Sequence, residues 1–501
     1  MTRLLALAPL GMEAAAVRRG ARQAEVARVG MGPQRAAAGA AALLPPPADV
    51  AAVAVTGLGG GLRPDLPVGH LVVADRVLRP DGRVTAELPG ASLLAAELRR
   101  AGLPATAGPV VSTDHVVRGE AARAALAKQG ALVVDMESAD LLAADWSRPM
   151  AVVRAVSDGP GHELVSPRLP VNLRRALRSL REAVPVLEAW AAACRRRRVV
   201  LAEPRSFCAG VERAIATVEA ALDRFGTPVY VRRQIVHNDH VVADLEQRGA
   251  VFVQELDEVP GGATVVFSAH GVGRATRAEA GDRDLRVVDA TCPLVAKVHT
   301  EVRRLAEQGR EVVLIGHDGH DEVEGTLGEV AGVHLIATPE EAAALDLPAG
   351  ARVGYATQTT LAPDEVASTV AVLADRFSDL VGPRASDICY ATHNRQEAVR
   401  AIATECDLVV VVGSASSSNS RRLVEVARRS GGRAELIDDE TGLRLDWLAA
   451  ASSVGVTAGA SAPDLLVQRV VDTVESLGPV ELTHHRVRRE TVSFPLPPEV
   501  R

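Results

Sequence analysis

Short runs of β-branched and other aliphatic residues alternate along the whole chain with longer stretches rich in Ala, Leu and Arg. Three of the runs read AVAVTGLGGG, VVLIGHDGH and LVVVVGSASSS, and each ends in small or polar residues. A short apolar run that stops at Gly or Ser predicts a buried strand, whereas the longer stretches predict helices. The alternation therefore predicts an α/β protein with parallel sheets, whose chemistry lies at the carboxyl ends of the strands.

The pattern breaks near residue 195. The stretch LREAVPVLEAWAAAC has helical spacing, four arginines follow it, and VVLAEP then begins a new strand. One short charge run in an acidic protein is typical of a solvated linker rather than of a nucleic-acid patch. We expect a first domain at 1–194, an Arg-rich linker at 195–198 and a second domain at 199–501.

Composition narrows the class of protein. The chain has 501 residues, 56 basic and 63 acidic, with 47% hydrophobic and 24% charged residues. It is too long for one core, has the composition of a soluble globular protein, and its net charge of -7 gives no support to a nucleic-acid partner. The first apolar run is interrupted by Pro9 and Glu13, which favours a buried strand over a signal peptide, and no stretch is apolar enough to span a bilayer. These features predict a cytoplasmic location without membrane spans.

Three of the five cysteines recur in one local setting. Cys208, Cys292 and Cys389 each follow a predicted strand and precede a predicted helix, whereas Cys406 enters an apolar strand and Cys194 has no evident partner. The spacing predicts a threefold pseudo-repeat that brings three thiols to one point, where helix N-termini should lower their pKa. Three thiolates suggest a metal centre, and the residues alone leave zinc and an iron–sulfur cluster open.

Polar side chains follow many of the strands in the second half. They are His237, His270, His320, Glu322, Thr359, Ser417, Ser418, Asn419 and Ser461. Hydroxyls, imidazoles and helix N-termini together are typical of a site for a multiply charged anion such as a diphosphate. A residue such as Ser461 could also serve only as a helix cap. No P-loop signature accompanies them, which argues against a nucleoside triphosphate.

Nine ordered motifs carry a resemblance to a known family. They are EPRSFCAGVERAI, QIVHNDHVV, VFSAHGV, DATCPLV, GHDGHDEVEGT, TQTTL, DICYATHNRQEAV, GSASSSNS and VTAGASAPD. Together they resemble the 4-hydroxy-3-methylbut-2-enyl diphosphate reductases of the methylerythritol phosphate route to isoprenoids, over about residues 199–478. The resemblance implies three α/β units around a central [4Fe–4S] cluster held by Cys208, Cys292 and Cys389.

The resemblance also assigns roles to the polar residues. Glu322 matches the proton-delivering carboxylate, and Thr359 matches the hydroxyl beside the substrate alcohol. The residues matched to diphosphate binding are His237, His270, His320, Ser417, Ser418, Asn419 and Ser461. The implied reaction is reductive dehydroxylation of the allylic diphosphate to isopentenyl and dimethylallyl diphosphate, with electrons from a ferredoxin or flavodoxin-type donor. The alternative is a non-catalytic iron–sulfur or zinc sensor on the same scaffold, joined to a degenerate first domain.

Two departures from the family pattern lie beside expected site residues. Ser206 stands where the resemblance expects Gly before Phe-Cys, and Asp321 stands where it expects Pro. Neither change removes a matched ligand. Both are expected to alter the local geometry of the site.

The first half resembles a second family. TGLGGGLRPDLPVGHLVVAD, VVDMESADLLAA and VVRAVSDG are similar to motifs of the nucleoside phosphorylase and nucleosidase superfamily. The resemblance implies that Met136 and Glu137 bind ribose hydroxyls and that Asp158 protonates the departing purine. Only Glu13 remains of an acidic run expected in relatives that use water, and Val116 stands where a stacking aromatic is expected. A nucleosidase and a degenerate domain kept for stability or assembly are the two interpretations.

Overall fold

The structure is a computed structural model that describes residues 3–161, 163–164, 166–348 and 350–501. It divides into two compact units. The first comprises residues up to 199 together with 439–454 and 468–483, and the second comprises 200–438, 455–467 and 484–501. The predicted division near residue 195 therefore lies close to the end of the first segment, but two later segments belong to the first unit. The domain boundaries as independently folding pieces stay a prediction.

The first unit is built on one eight-stranded sheet. Its strands are β1 Arg3–Ala8, β2 Glu25–Arg28, β3 Val50–Gly61, β4 Leu71–Leu78, β5 Val84–Glu87, β6 Ala105–Ser112, β7 Val133–Asp135 and β8 Met150–Asp158. Its helices before residue 199 are α1 Gly11–Gly20, α2 Pro33–Ala41, α3 Ala91–Arg100, α4 Glu120–Ala127, α5 Ser138–Leu142 and α6 Leu169–Ala193. The order is β2-β1-β3-β7-β6-β4-β5, with β8 pairing β3 and β4. The first apolar run forms the buried strand β1, as the interrupted pattern predicted.

Beyond residue 196 the same alternation continues. The strands are β9 Arg197–Glu203, β10 Val229–Arg232, β11 Ala250–Val253, β12 Thr264–Phe267, β13 Arg286–Asp289, β14 Glu311–Ile315, β15 His334–Ile336, β16 Arg352–Thr357, β17 Asp379–Val381, β18 Leu408–Val412, β19 Ala434–Ile437, β20 Ser453–Ala458 and β21 Val480–Arg486. The helices are α7 Ala209–Phe225, α8 Asp239–Gln247, α9 Arg274–Asp282, α10 Pro293–Glu307, α11 Asp321–Leu327, α12 Pro339–Ala344, α13 Pro363–Arg376, α14 Tyr390–Ala403, α15 Ser418–Arg429, α16 Leu445–Ala450 and α17 Asp464–Glu475.

These strands form three sheets with one shared topology. The sheet orders are β11-β10-β12-β13, β15-β14-β16-β17 and β19-β18-β20-β9-β21. Within the first two sheets every pairing is parallel. In each sheet the strand in fourth place is the one that leads to a cysteine: β13 to Cys292, β17 to Cys389 and β9 to Cys208. The predicted threefold arrangement is confirmed, and β9 takes the place of the fourth strand in the third sheet although it comes first in the sequence.

The Arg-rich run differs from a solvated linker. Strand β9 begins at Arg197, whose side chain is buried and donates to the carbonyls of Ala193 and Leu448. Burial lowers the pKa of Arg197 to about 10, because desolvation disfavours its charge.

Among the described residues, no helix combines the length and apolarity that crossing a bilayer requires.

Candidate functional site

The three repeated cysteines occupy the same structural position. Cys208, Cys292 and Cys389 are the residues immediately before α7, α10 and α14, each with extended or non-helical backbone. A Cβ at Gly210 would lie 2.7 Å from the Cys292 sulfur and 3.8 Å from the Cys208 sulfur. Only glycine leaves room for these sulfurs beside the first turn of α7. Helix starts from three different sheets thus bring the thiols together, as the pattern predicted.

The protonation of these thiols differs from the expectation. Burial raises the pKa of Cys292 to about 12 and that of Cys389 to about 11, with the neighbouring thiols as a smaller cause. Desolvation outweighs the helix N-termini, because an unpaired thiolate in an apolar site has lost its hydration. The predicted lowering of the pKa is therefore wrong for Cys292 and Cys389. A bound cation would reverse the balance by stabilising the thiolates.

The spacing of the sulfurs bears on which metal fits. Two thiolates on one tetrahedral zinc lie about 3.8 Å apart, given a Zn–S bond of about 2.3 Å. Among the residues that the structure describes, the three cysteines are not a group whose ligand atoms all lie within 4.8 Å of one another. Cys194 and Cys406 are buried and, among the described residues, do not line the cavity that Cys208, Cys292 and Cys389 line. The donor set fits an object larger than a single ion, such as an iron–sulfur cluster with three cysteine ligands.

A buried arginine ties the Cys208 loop to the Cys389 helix. Arg395, on α14, is fully buried and donates to the carbonyls of Ser206 and Phe207 at 2.8 Å and 3.2 Å. The carboxylate of Glu490 accepts from the same guanidinium at 3.1 Å. Ser206 itself has a left-handed backbone, φ 60°, which explains why the resemblance expects Gly there. Its hydroxyl donates to Asp464 at 3.1 Å.

Three histidines form a tight triangle beside the cysteines. The rings of His237 and His270 stack with centroids 4.1 Å apart, and His320 meets them edge-on at 5.3 Å and 5.7 Å. Burial lowers the pKa of all three, that of His320 to about 4. The rings are therefore neutral in the substrate-free protein. A bound anion would reverse part of that shift, because it favours the imidazolium form.

Glu322 and Thr359 form a closed pair. The Glu322 carboxylate accepts from the Thr359 amide at 2.7 Å and from the Thr359 hydroxyl at 2.9 Å. Burial raises the pKa of Glu322 to about 7, with Asp387 as a lesser cause. Desolvation is thus the main cause of the raised pKa of Glu322. Glu322 is not the helix cap, since His320 holds that place and accepts from the Glu322 amide at 3.1 Å.

The predicted hydroxyl and amide residues surround the same cavity. Ser417 caps α15, Ser418 accepts from the Thr360 hydroxyl at 3.0 Å, and Ser461 donates to the His237 carbonyl at 3.1 Å. All twelve site residues predicted in the second half line one cavity: Cys208, His237, His270, Cys292, His320, Glu322, Thr359, Cys389, Ser417, Ser418, Asn419 and Ser461.

Sequence reasoning missed two neighbours of the cysteines. Thr392 approaches the Cys389 sulfur with its amide at 3.3 Å and its hydroxyl at 3.1 Å, and it accepts from Asn419 at 3.4 Å. The three-residue spacing from Cys389 is a helix-cap spacing and could have identified it. Arg395 gave no such signal, because its partners are carbonyls that lie 188 and 189 residues away.

The first unit contains a second cavity with buried charges. Glu13 is 2% exposed and accepts from the amides of Leu58 and Leu10 at 2.8 Å and 2.6 Å. Glu137 accepts from the Gly32 amide at 3.0 Å and lies 3.5 Å from the fully buried Arg154. Burial raises the pKa of both carboxyl groups. The cavity is thus lined by two carboxyl groups that titrate above their ordinary range.

Asp158 has a partner that the sequence did not predict. Its carboxylate accepts from the buried guanidinium of Arg123 and, at 2.7 Å, from the hydroxyl of Ser157. Met136 and Val116 line the same cavity. In the substrate-free protein Asp158 therefore acts as a hydrogen-bond acceptor, and its role as a proton donor stays a prediction.

Comparisons with known proteins separate the two halves. Residues 199–475 match the sequence profile described as LytB protein, and residues 8–185 match that of the phosphorylase superfamily. The chain is 56% identical over 300 residues to the 4-hydroxy-3-methylbut-2-enyl diphosphate reductase of Bordetella pertussis, an alignment covering 60% of this chain and 92% of that protein. It is also 56% identical over 308 residues to the reductase 1 of Mycobacterium tuberculosis, covering 60% of this chain and 94% of that protein.

A solved structure agrees with these relatives. The E-1-hydroxy-2-methyl-but-2-enyl-4-diphosphate reductase from Plasmodium falciparum matches with a TM-score of 0.59 and 36% identity, covering 61% of this chain and 97% of that one. The LytB profile spans more than half of the chain, and the relatives are matched over nearly their whole length. With its three converging thiols and its buried Glu322–Thr359 pair, the chain belongs to the LytB protein family of oxidoreductases.

Proposed function

We propose that the second half reduces 4-hydroxy-3-methylbut-2-enyl diphosphate to isopentenyl and dimethylallyl diphosphate. The observation that carries this proposal is the single cavity that joins three thiols, three histidines and the Glu322–Thr359 pair. The relatives named above are reductases of this substrate. In the reaction the C4–O bond breaks, two electrons and two protons are consumed, and water leaves as a C–H bond forms.

The three cysteines are proposed to hold a [4Fe–4S] cluster. Their separation suits a cluster better than one zinc ion, and a zinc site would also want a fourth ligand. When bound, such a cluster supplies electrons and an iron that is open to an oxygen ligand. Its electrons are proposed to come from a ferredoxin or flavodoxin-type donor.

Glu322 is proposed to deliver the proton to the leaving hydroxyl. With a pKa of about 7, its carboxyl group is half protonated at neutral pH, which suits a general acid. The Thr359 hydroxyl, 2.9 Å away, would connect this acid to the substrate alcohol. Glu322 is only 3% exposed, which limits the exchange of its proton with bulk solvent.

The other polar residues are proposed to bind the diphosphate. Ser417 is the N-cap of α15 and lines the cavity, and the N-terminus of a helix favours an anion. The neutral imidazoles of His237, His270 and His320 can each take a proton when the anion enters. Binding is therefore expected to draw protons from solution.

Anaerobic purification tests this proposal. The protein should contain close to four iron and four sulfide per chain and should convert the allylic diphosphate to both products with a chemical reductant. The alternative, a non-catalytic sensor, predicts a metal centre without turnover. The Glu322–Thr359 pair favours the enzyme, because a sensor has no use for a buried acid beside its metal.

A second candidate function belongs to the first unit, where we propose a nucleoside hydrolase. The favouring observation is that Glu13 and Glu137 line one cavity and that Arg154 lies 3.5 Å from Glu137. A carboxyl group with a raised pKa can take a proton from water, and a second carboxylate suits the ribose diol. Water would then add to the anomeric carbon as the bond to the base breaks.

Base release from a panel of purine ribonucleosides tests the hydrolase. Free base should appear without added phosphate and should fall at least ~10²-fold in Glu13→Gln. Glu182→Gln serves as the control, since Glu182 is an exposed carboxylate paired with Arg178 on α6. Release that depends on phosphate would show a phosphorylase instead. No release from any nucleoside would favour the degenerate domain.

A further inference from the structure

Asp321 brings a carboxylate to the histidines at the one position where the family pattern expects Pro. Its Oδ2 atom lies 3.9 Å from Nε2 of His237 and 3.8 Å from Nδ1 of His270. The three ligand atoms all lie within 4.8 Å of one another. Two imidazoles and one carboxylate are a donor set that binds zinc and similar divalent ions.

Hydrogen bonds fix the tautomer of His237. The Gln234 side-chain amide donates to Asp239 at 2.8 Å, which leaves its oxygen to accept from His237 Nδ1 at 3.3 Å. The proton of neutral His237 is therefore on Nδ1, and Nε2 carries a lone pair. That Nε2 atom is buried and, among the described residues, has no hydrogen-bond partner. This lone pair lies 3.9 Å from a carboxylate oxygen of Asp321, an arrangement that a cation would stabilise.

The carboxylate of Asp321 is held in the matching orientation. Arg233 donates to Oδ1 at 2.5 Å, so that Oδ2 is the oxygen that faces the imidazoles. Arg233 is shared with Glu324 at 2.5 Å and with Glu255 at 3.1 Å, so three carboxylates outweigh its charge. Such a second layer of hydrogen bonds is what orients ligands at metal sites.

The distances are close to those of a filled site. Ligand atoms on a tetrahedral zinc lie about 3.4 Å apart, given bonds of about 2.1 Å. The two separations from Asp321 Oδ2, 3.9 Å and 3.8 Å, exceed this by about 0.5 Å and 0.4 Å, which small side-chain rotations can close. The Ser268 hydroxyl, 3.4 Å away, also contacts His270 Nδ1 and would compete with a cation for it. We propose that His237, His270 and Asp321 bind one zinc-like divalent cation in the substrate-free protein, with a fourth position open to the cavity.

One consequence rests on the proposed function. If His237 and His270 hold the diphosphate, then the cation occupies the same pocket and competes with the substrate. Zinc should then raise the KM for the allylic diphosphate and leave kcat unchanged. In the Asp321→Pro variant, zinc should leave the KM unchanged, because this variant lacks the carboxylate ligand.

Calorimetric titration of Zn²⁺ tests the site. The full chain is used without a histidine tag and with its cluster cysteines loaded under anaerobic conditions, so that free thiols do not bind the ion. One Zn²⁺ per chain is expected, with affinity at least ~10-fold weaker in Asp321→Asn and in Asp321→Pro. Glu324→Gln is the matched control, since Glu324 shares Arg233 but is not in the ligand group, and it should bind as the parent does.

The outcomes separate this proposal from the reductase proposal. Equal zinc affinity in the parent and in Asp321→Asn, or no binding by the parent, would overturn the site and show that Asp321 makes an ion pair only. Zinc binding that depends on Asp321 in a protein without turnover would support the site and refute the reductase. The near-ultraviolet circular dichroism spectrum and the melting temperature of each variant should match those of the parent, which shows that the variant is folded.

Discussion

The buried carboxyl of Glu322 allows a quantitative test of the proposed mechanism. In Glu322→Gln, the side-chain oxygen can accept from the Thr359 amide and the side-chain NH₂ can donate to the Thr359 hydroxyl. The variant therefore mimics the protonated acid, keeps both hydrogen bonds and lacks only the transferable proton. We expect it to retain iron and substrate binding and to lose at least ~10²-fold in kcat.

The same substitution changes stability in a predictable direction. Burial raises the pKa of Glu322 from 4.5 to about 7, so the folded state holds the proton more tightly than the unfolded state. The free energy of unfolding of the parent should fall as pH rises from about 4.5 to 7 and then level off, by roughly 3 kcal/mol in total at about 1.4 kcal/mol per pKa unit. Glutamine does not ionise, so the stability of Glu322→Gln relative to the parent should rise across that window. The difference in free energy of unfolding should then stay constant above pH 7.

Two measurements check these expectations. Turnover of the allylic diphosphate gives kcat for the variant, with iron content measured on the same sample. Melting temperatures between pH 5 and 8 give the stability difference, with Glu324→Gln as the control because that carboxylate is half exposed. A kcat within about threefold of the parent at full iron content would remove Glu322 from proton delivery. Identical pH profiles of melting would show that its burial does not raise its pKa.

The remaining predictions concern the cluster loop and the cysteines. Cys389→Ser should lose most of the iron and Cys406→Ser should keep it, measured by iron and sulfide content; the reverse result would contradict the ligand assignment. Arg395→Met should fold, by melting temperature, yet lose its cluster faster under a chelator, because the Ser206 carbonyl loses its donor; an unchanged rate of iron loss would contradict a positioning role. Ser206→Gly should be more stable than Ser206→Ala by about 1 kcal/mol, since both variants lose the hydroxyl bond to Asp464 but only alanine keeps the left-handed strain, and equal unfolding midpoints would refute this.

The position of each cysteine between a strand and a helix could be predicted from the sequence. The apolar run before it and the helical spacing after it are local signals. Each cysteine lies beyond the carboxyl end of its strand, as expected for a parallel sheet, but their convergence comes from the packing of three separate sheets. The raised pKa values of Cys292 and Cys389 could not be predicted from the sequence. They depend on how far folding removes water from each thiol, and burial is not a local property of the sequence.

Other features were decided only by tertiary contacts. Arg395 and Ser206 are 189 residues apart, and no spacing rule connects them. Asp158 was readable as a site residue, but its pairing with Arg123 arises where α4 meets the end of β8. Likewise, Asp321 could be recognised as unusual from the motif, yet its place between two histidines depends on the packing of two separate sheets.

The sequence by itself determined the α/β class, the repeated strand–cysteine–helix order and the identity of twelve of the residues that line the cavity beside the three cysteines. Those properties depend on periodicity, helix caps and motif order, which are written locally along the chain. The tertiary structure decided which titratable groups are buried, which charges are paired and which ligand atoms lie close together. These properties determine pKa values and ligand affinity, because they depend on desolvation and on distances between residues that are remote in sequence.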